Sequence, residues 1–541
     1  MTTHTEMPTA TLFNYSYAFT ETPKNTSIPP AIRKIVIVGG GSAGWMTAMI
    51  LANALIKKGV EIEVIESPVV GIIGVGEGST PWLRGFFDSL GIEESEWMPE
   101  CNATYKCGIT FDKWSTKPGF ESYFHPFASM LDNLTMTQFV HNAEARVNGA
   151  DVPAHPNRFF ISSYLADRHM APKPVRSFPF DVWYGYHFDS VLLGQYLHKK
   201  ALQRGVKHRS CHVTGVQLNE RGEIASLSTQ EGEPIRADFF VDCTGFAGLL
   251  IQKALDTPFV SFSNNLFNDA AIALPSPIDD VIPSQTISTA LKHGWRWRIP
   301  LTSRYGNGYV YSSAFCSADE AEHELREGLG LLDSPTPARH LKMKIGRVTK
   351  HLNKNCLAVG LSQGFIEPLE ATALLFIQRT VISFVELLEA GDMDEAARDK
   401  LNRRINDHFE GTRDYIVTHY KTNTRTDTDY WRANAANKNL SDSLLQLYAL
   451  WMAGKSIAPD VGRQTIGKGY PIFSWYCIMS GMGIFPNQSD LRPPNANESR
   501  YSIAEIDNLL QRSVQNFRNQ KEALMDIPPK ARESSLQIYF W

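Results

Sequence analysis

The sequence predicts a mixed α/β fold: a strand, glycine turn and helix module near the amino terminus, with a mostly helical carboxy-terminal part appended. Three kinds of stretch predict it. "RKIVIVGGGSAGWMTAMILANAL" passes from the β-branched run Ile35 to Val38 through glycines into a helical apolar period. "ADFFVDCTGFAGLL" is a second apolar strand ending at Thr244 and Gly245. "ALLFIQRTVISFVELLEAG" and "YSIAEIDNLLQRSVQNFRNQKEALM" repeat apolar residues at helical spacing late in the chain.

Taken in order, residues 1–30 are rich in Thr, Pro and Ser without a sustained period and read as a flexible arm. Residues 31–385 read as the glycine-turn module with interleaved segments, and 386–541 as the helical part that completes a cavity on it. Gly39, Gly41 and Gly44 satisfy G-x-G-x-x-G around Ser42 and Ala43. In that pattern one glycine makes the turn, one admits a pyrophosphate to the backbone and one lets helix and strand pack closely. Glu66 ends the next strand about twenty residues on, where a carboxylate reaches ribose hydroxyls. This context points to a dinucleotide without separating FAD from NAD. The second strand end at Thr244 and Gly245 resembles one that FAD monooxygenase-like proteins place against the cofactor, which favours FAD. "GIIGVGEGSTPWL", with Gly74 and Glu77, suits a strap over a flat ring, or an ordinary surface loop.

"TYKCGITF" alternates, with Tyr105, Cys107, Ile109 and Phe111 on one face and Lys106, Gly108 and Thr110 on the other. Periodicity alone puts Lys106 on the wet face of a half-buried strand. "GWRWRIP" sets Trp295 and Trp297 opposite Arg296 and Arg298, an amphipathic strand with two large core residues. In "GLSQGFIEPLEATALLFIQ", Pro368 between Glu367 and Glu370 reads as the first turn of a helix, with Glu370 stabilised by its dipole. The free N–H groups expected at Thr372 and Ala373 would suit an anion such as halide.

With 53 basic and 57 acidic residues in 541, the net charge of -4 argues against a nucleic-acid or anionic-membrane partner. The seven cysteines lack a C-x-x-C pair, which fits reduced thiols and supports neither a disulfide framework nor a structural zinc. No apolar run approaches the roughly 18 residues of a membrane helix, so the expected location is the cytoplasm.

Taken together, "GGGSAGW", "GVGEGSTP", "EWMPECNATYK", "YFHPF", "GWRWRIP" and "FIEPLEAT" resemble, in this order, the flavin-dependent tryptophan halogenases; the resemblance runs from about residue 33 to at least 485. It implies an enzyme that takes reduced FAD from a separate flavin reductase and uses dioxygen and chloride or bromide. Hypohalous acid would then travel through an internal tunnel to a lysine beside the aromatic substrate. That lysine matches Lys106, and its companion carboxylate matches Glu370. The same resemblance implies cofactor contacts at Gly39, Gly41, Ser42, Ala43, Gly44, Glu66, Gly74, Glu77 and Leu361, and halide contacts at Thr372 and Ala373. His125 and Phe127 match substrate-cavity residues, and Phe473 and Trp475 are offered as further aromatic wall. Gly108 and Thr110, small neighbours of Lys106, then read as room for an oxidant.

Two departures shape the expected substrate. The chain reads Glu370, Ala371, Thr372, Ala373 where the tryptophan-acting enzymes have Glu-Ser-Thr-Gly, a variant that looks like the indole-accepting branch. After "AGKSIAPDVG" it also lacks the aromatic and acidic segment that closes over an amino acid's charges, and an unpaired charge in a pocket is costly. The expectation is therefore an indole, free or in a larger molecule such as a peptide, with a homodimer allowed. The rival readings are a flavin-dependent hydroxylase of the same fold and a flavin-binding protein without catalysis.

Overall fold

The computed structural model describes residues 32–71, 77–230, 232–391, 393–464 and 469–527. The expected arm and Gly74 lie outside the described residues. The first sheet has six strands in the order Leu352–Asn353, Cys356–Ala358, Phe239–Asp242, Lys34–Val38, Glu61–Glu66 and Lys207–Ser210. All its pairings are parallel except the first. The helix Ser42–Leu55 makes the crossover between Lys34–Val38 and Glu61–Glu66 and packs on the helices Ser190–Gln203 and Ala373–Ala390. Ile35, Val36 and Ile37 are fully buried, as a parallel strand covered on both faces requires.

A second sheet of seven strands is mostly antiparallel. Its order is Arg339–Lys342, Ala270–Ser276, Tyr305–Tyr311, Gly294–Pro300, Thr286–Ala290, Gly108–Asp112 and Ser122–Pro126. The "GWRWRIP" strand lies near its middle with Trp295 and Trp297 buried and the arginines half-buried, as the alternation predicts. Gly308 on the neighbouring strand makes room for Trp297, since a Cβ there would sit 2.0 Å from the indole carbons.

The "TYKCGITF" stretch departs from its expectation. It is two strands, not one: Thr104–Lys106 belongs to a three-stranded sheet with Glu77–Gly78 and Gly185–Phe188, and Gly108–Asp112 to the seven-stranded sheet. Both faces are covered between Thr104 and Ile109, so no wet face exists. Periodicity fails here because a change of sheet at Cys107 buries side chains on either side of the break.

From Glu395 onward the described elements are helices, including Glu395–Lys421 and Ile472–Gly481, apart from the strand Phe517–Asn519, which pairs with Met170–Pro174. The helix Ala373–Ala390 runs straight through the boundary expected at 385/386. The late stretch from Tyr501 forms two helices, Ile503–Val514 and Gln520–Met525, with that strand between them.

Candidate active site

The three fingerprint glycines have three different surroundings. Gly39 has φ +119°, and a Cβ there would meet the Cys243 carbonyl oxygen at 2.2 Å, so the turn and the strand contact both need glycine. A Cβ on Gly44 would sit 1.8 Å from the Gly39 oxygen, so this glycine seats the helix on the strand end. Gly41, at the helix N-cap, has nothing within 4 Å of a built Cβ. Open space in front of a helix amino terminus is what a pyrophosphate needs, so the residues present fit a dinucleotide. Glu66 lies over Gly40, whose Cβ would meet its carboxyl carbon at 2.2 Å, and its Oε2 lies 3.3 Å from His208 Nε2. Leu361 sits in the short turn Gly360–Ser362, where a Cβ on Gly360 would approach Ala43 at 2.8 Å. Burial pushes the Glu77 carboxyl up to about 7, against a hydrogen bond from Ser190.

Away from this cradle, Lys106 is fully buried and its Nζ has no hydrogen-bond partner. Burial lowers its pKa from 10.5 to about 7, while the Glu370 carboxylate pulls the other way. Nζ stands 5.5 Å from the centre of the Phe127 ring, and a Cβ on Gly78 would lie 3.1 Å from it. The small residue beside the amine is thus Gly78 on the strap side. Gly108 is small for another reason, since its Cβ would strike the His125 carbonyl at 2.3 Å and the Phe124 ring at 2.5 Å. Thr110 donates to Gln285. The expectation that these two leave room for an oxidant is therefore corrected.

Sequence reasoning missed the groups on the far side of Lys106. His187 is fully buried, with Nδ1 3.1 Å from the Thr104 hydroxyl and Nε2 2.9 Å from the Thr286 hydroxyl. Thr104 donates to the Pro300 carbonyl, so it accepts from His187 Nδ1–H, and Nε2 accepts from Thr286. Burial first, and then the charge of Lys106, lowers the His187 pKa well below its usual value. Its nitrogens are thus both occupied, and it offers the amine no acceptor.

Glu370 is not a helix-dipole carboxylate. Pro368–Glu370 is a separate 3-10 turn, Ala371 has φ +55°, and the helix begins only at Ala373, with Thr372 as its cap. The left-handed step at Ala371 turns the Glu370 side chain inward. There it meets His125 Nδ1 at 3.0 and 3.2 Å, and His419 Nε2 lies 3.2 Å from Oε1. Burial alone would raise this carboxyl, but His125 and then His419 outweigh it and hold it down to about 2. Lys106 and Glu370 therefore act on each other through space, without an ion pair between them. His419, another residue the sequence reading gave no role, sits one helical turn from Tyr415; that spacing inside "TRDYIVTHY" was the available signal.

His125, Phe127, Phe473, Glu370 and Thr372 line one cavity with Tyr470. Its volume is about 30 Å³, against the several hundred Å³ of a typical ligand pocket. Lys106, Ala373 and Trp475 are not among its lining residues, and Lys106 stands 5.5 Å from the Phe127 ring that helps line it. Trp475 is core behind the wall, edge-on to Tyr415 at 5.0 Å, with Tyr415 stacked on Tyr470 at 3.7 Å.

The glycine cradle defines a dinucleotide-binding α/β protein, and the same chain encloses a second site, where the buried Lys106 Nζ stands 5.5 Å from the Phe127 ring. Comparison with known proteins makes the class specific. The sequence model of the family described as Tryptophan halogenase matches residues 34–495. Tryptophan 6-halogenase SttH of Streptomyces toxytricini is 37% identical over 476 residues, covering 83% of this chain and 89% of that protein. The 7-chloro-L-tryptophan 6-halogenase KtzR of Kutzneria sp. is 38% identical over 479 residues, covering 83% and 90%. Among solved structures, Tar14, a tryptophan C-6 flavin-dependent halogenase from taromycin biosynthesis, superposes with a TM-score of 0.81 at 35% identity, covering 92% of this chain and 99% of Tar14. The chain belongs to the tryptophan halogenase family and is a flavin-dependent halogenase that uses FAD and halide. Among the described residues no helix is long and apolar enough to cross a membrane.

Proposed function

We propose that the protein chlorinates or brominates an electron-rich aromatic, an indole free or in a larger molecule, in the cytoplasm, with Lys106 carrying the oxidant to the ring. Reduced FAD arrives from a separate reductase, and with dioxygen the bound flavin supplies the oxidation of halide to hypohalous acid. One observation carries the reading: a fully buried lysine whose Nζ has no partner, held near neutrality beside an aromatic cavity. A solvated lysine at pH 7 is almost wholly ammonium and has no lone pair to offer, whereas an amine with a pKa of about 7 is half neutral.

The chain's residues divide the work. Gly39, Gly41, Ser42, Ala43, Gly44, Glu66, Glu77 and Leu361 hold the dinucleotide, and the N–H groups of Thr372 and Ala373 bind halide. Lys106 either takes the halogen from hypohalous acid onto nitrogen or holds the acid by a hydrogen bond. His125, Phe127 and Phe473 stack on the ring and fix which carbon faces the amine. Glu370, ionised between its histidines, accepts the proton that ring substitution releases.

The indole class is supported by relatives whose names give tryptophan or chlorotryptophan as substrate. A ring without a free amino acid's charges is supported by the sequence departures after Gly462; the cavity wall carries Tyr470 and Phe473 together with Arg379 and Glu370. Residues 465–468, within the stretch where the sequence lacks a charge-clamping segment, lie outside the described residues. The test supplies a flavin reductase, bromide and a panel of indoles, and reads products by mass spectrometry. A bromine isotope doublet on an indole is expected; hydroxylated products alone would return the reading to the hydroxylase.

A further inference from the structure

Three glycines stand near Lys106, and the backbone requires only two of them. A Cβ on Gly108 would strike the His125 carbonyl oxygen at 2.3 Å, and one on Gly185, which pairs with Lys106 across its sheet, would strike the Ser79 carbonyl oxygen at 2.6 Å. Gly78 is different. Its φ is not in the left-handed region, and the three atoms nearest a Cβ there all belong to side chains: Lys106 Nζ at 3.1 Å, Thr286 Oγ1 at 3.4 Å and His187 Cδ2 at 3.5 Å. The backbone would accept alanine at this position with only a small shift of the amine. Glycine leaves room for one more heavy atom against the lysine nitrogen.

The walls of that room differ chemically. Lys106 Nζ has no hydrogen-bond partner. Thr286 donates its one hydrogen to His187 Nε2, so its oxygen keeps lone pairs with which to accept. His187 presents a carbon, both ring nitrogens being engaged by Thr104 and Thr286. Hypohalous acid suits this set, because its O–H can donate to Thr286 while its electrophilic halogen faces the amine lone pair. The room is also separate from the aromatic cavity, whose lining includes none of Gly78, His187 and Thr286. Phe127 connects the amine to that cavity. Gly78 instead follows Glu77, which is hydrogen-bonded by Ser190, and the Ser190 carbonyl accepts from Ser42 of the glycine fingerprint at 3.4 Å. Lys106 thus stands between a room tied to the cofactor cradle and the cavity for the ring.

We propose, on the halogenase reading above, that this room seats the halogen of hypohalous acid beside Lys106 Nζ and that Gly78, having no side chain, admits bromine as well as chlorine. Gly78 is then a specificity-determining residue for the halide. Bromine is the larger atom and forms the longer bonds, so a methyl group placed in the same space excludes it more than chlorine. Oxidation of halide at the flavin comes earlier and is untouched by a methyl group on Gly78.

Gly78→Ala tests this. Wild type and variant, each with FAD and a flavin reductase, receive chloride alone or bromide alone. Halogenated indole is read by mass spectrometry, and in parallel runs without indole the hypohalous acid is captured by an added trap. The variant is expected to melt with wild type, to bind flavin and to yield trapped acid at wild-type rates with both halides. Its ratio of bromination to chlorination of indole should fall by about fivefold or more. A ratio that stays or rises overturns the proposal, and two rates that fall by the same factor mean that the methyl group merely displaces Lys106. A trapped-acid ratio that falls in step with the product ratio also overturns it, since the choice of halide then belongs to the flavin site. So does a variant that melts far below wild type, which makes Gly78 a packing residue, or a wild type that accepts one halide only. A wild type that halogenates no indole with either halide removes the halogenase reading itself, a result seen before any variant is made.

Discussion

Replacing Lys106 by Met should stabilise the protein, and by an amount that depends on pH. The side chain is fully buried and unbranched, so Met fills nearly the same space without an amine. The fall in pKa from 10.5 to about 7 corresponds to about 5 kcal/mol between the two protonation states. Between those values the unfolded chain binds a proton that the folded chain does not, so wild-type stability rises with pH by about 1.4 kcal/mol per unit. Below pH 7 both states are protonated and the full cost is present; above 10.5 it is gone. Lys106→Met carries none of it. The variant should therefore exceed wild type by about 4 kcal/mol at pH 7 and by about 2 kcal/mol at pH 9. Urea denaturation of both proteins at pH 7, 8 and 9 reads the gap. A gap that does not change with pH would refute the account of a buried, desolvated amine, as would a variant less stable throughout.

Other outcomes follow from the same geometry. Gly41→Val should fold normally and lose flavin binding, because only open space lies in front of Gly41; Gly44→Ala should lose about 1–3 kcal/mol of stability, because its Cβ would strike the Gly39 oxygen. Flavin fluorescence and thermal melting separate the two. Glu367 is fully buried, accepts from Asn268, Trp295 and Tyr420, and is pushed up by burial to about 7. Between pH 4.5 and 7 the folded chain keeps a proton that the unfolded chain loses, so this carboxyl should subtract stability as pH rises, by up to about 3 kcal/mol. Glu367→Gln should remove that slope from a pH series of denaturation curves.

The cofactor module was legible because its signals are local. Turn, strand and helix are set by neighbours in sequence, and the pattern of Gly39, Gly41 and Gly44 encodes contacts within about twenty-five residues or with one later strand end. The paired tryptophans were legible for the same reason, since a strand interior keeps its alternation. Lys106 defeated periodicity because the chain changes sheets beside it, a fact set by pairing with residues 79 and more positions away. Glu370 defeated the helix-start reading because one left-handed residue, Ala371, separates its turn from the helix. His187 carries no signature of its own, and His419 only its one-turn spacing from Tyr415. Their roles come from who faces them: Thr104 and Thr286 in one case, and Glu370 and Tyr415 in the other.

The most direct test of the central claim uses Lys106→Ala with FAD, a flavin reductase, bromide and an indole. If Lys106 carries the oxidant to the ring, the variant should still form hypobromous acid, captured by an added trap in solution, while brominated indole disappears. Brominated indole appearing at the wild-type rate from Lys106→Ala would contradict the account.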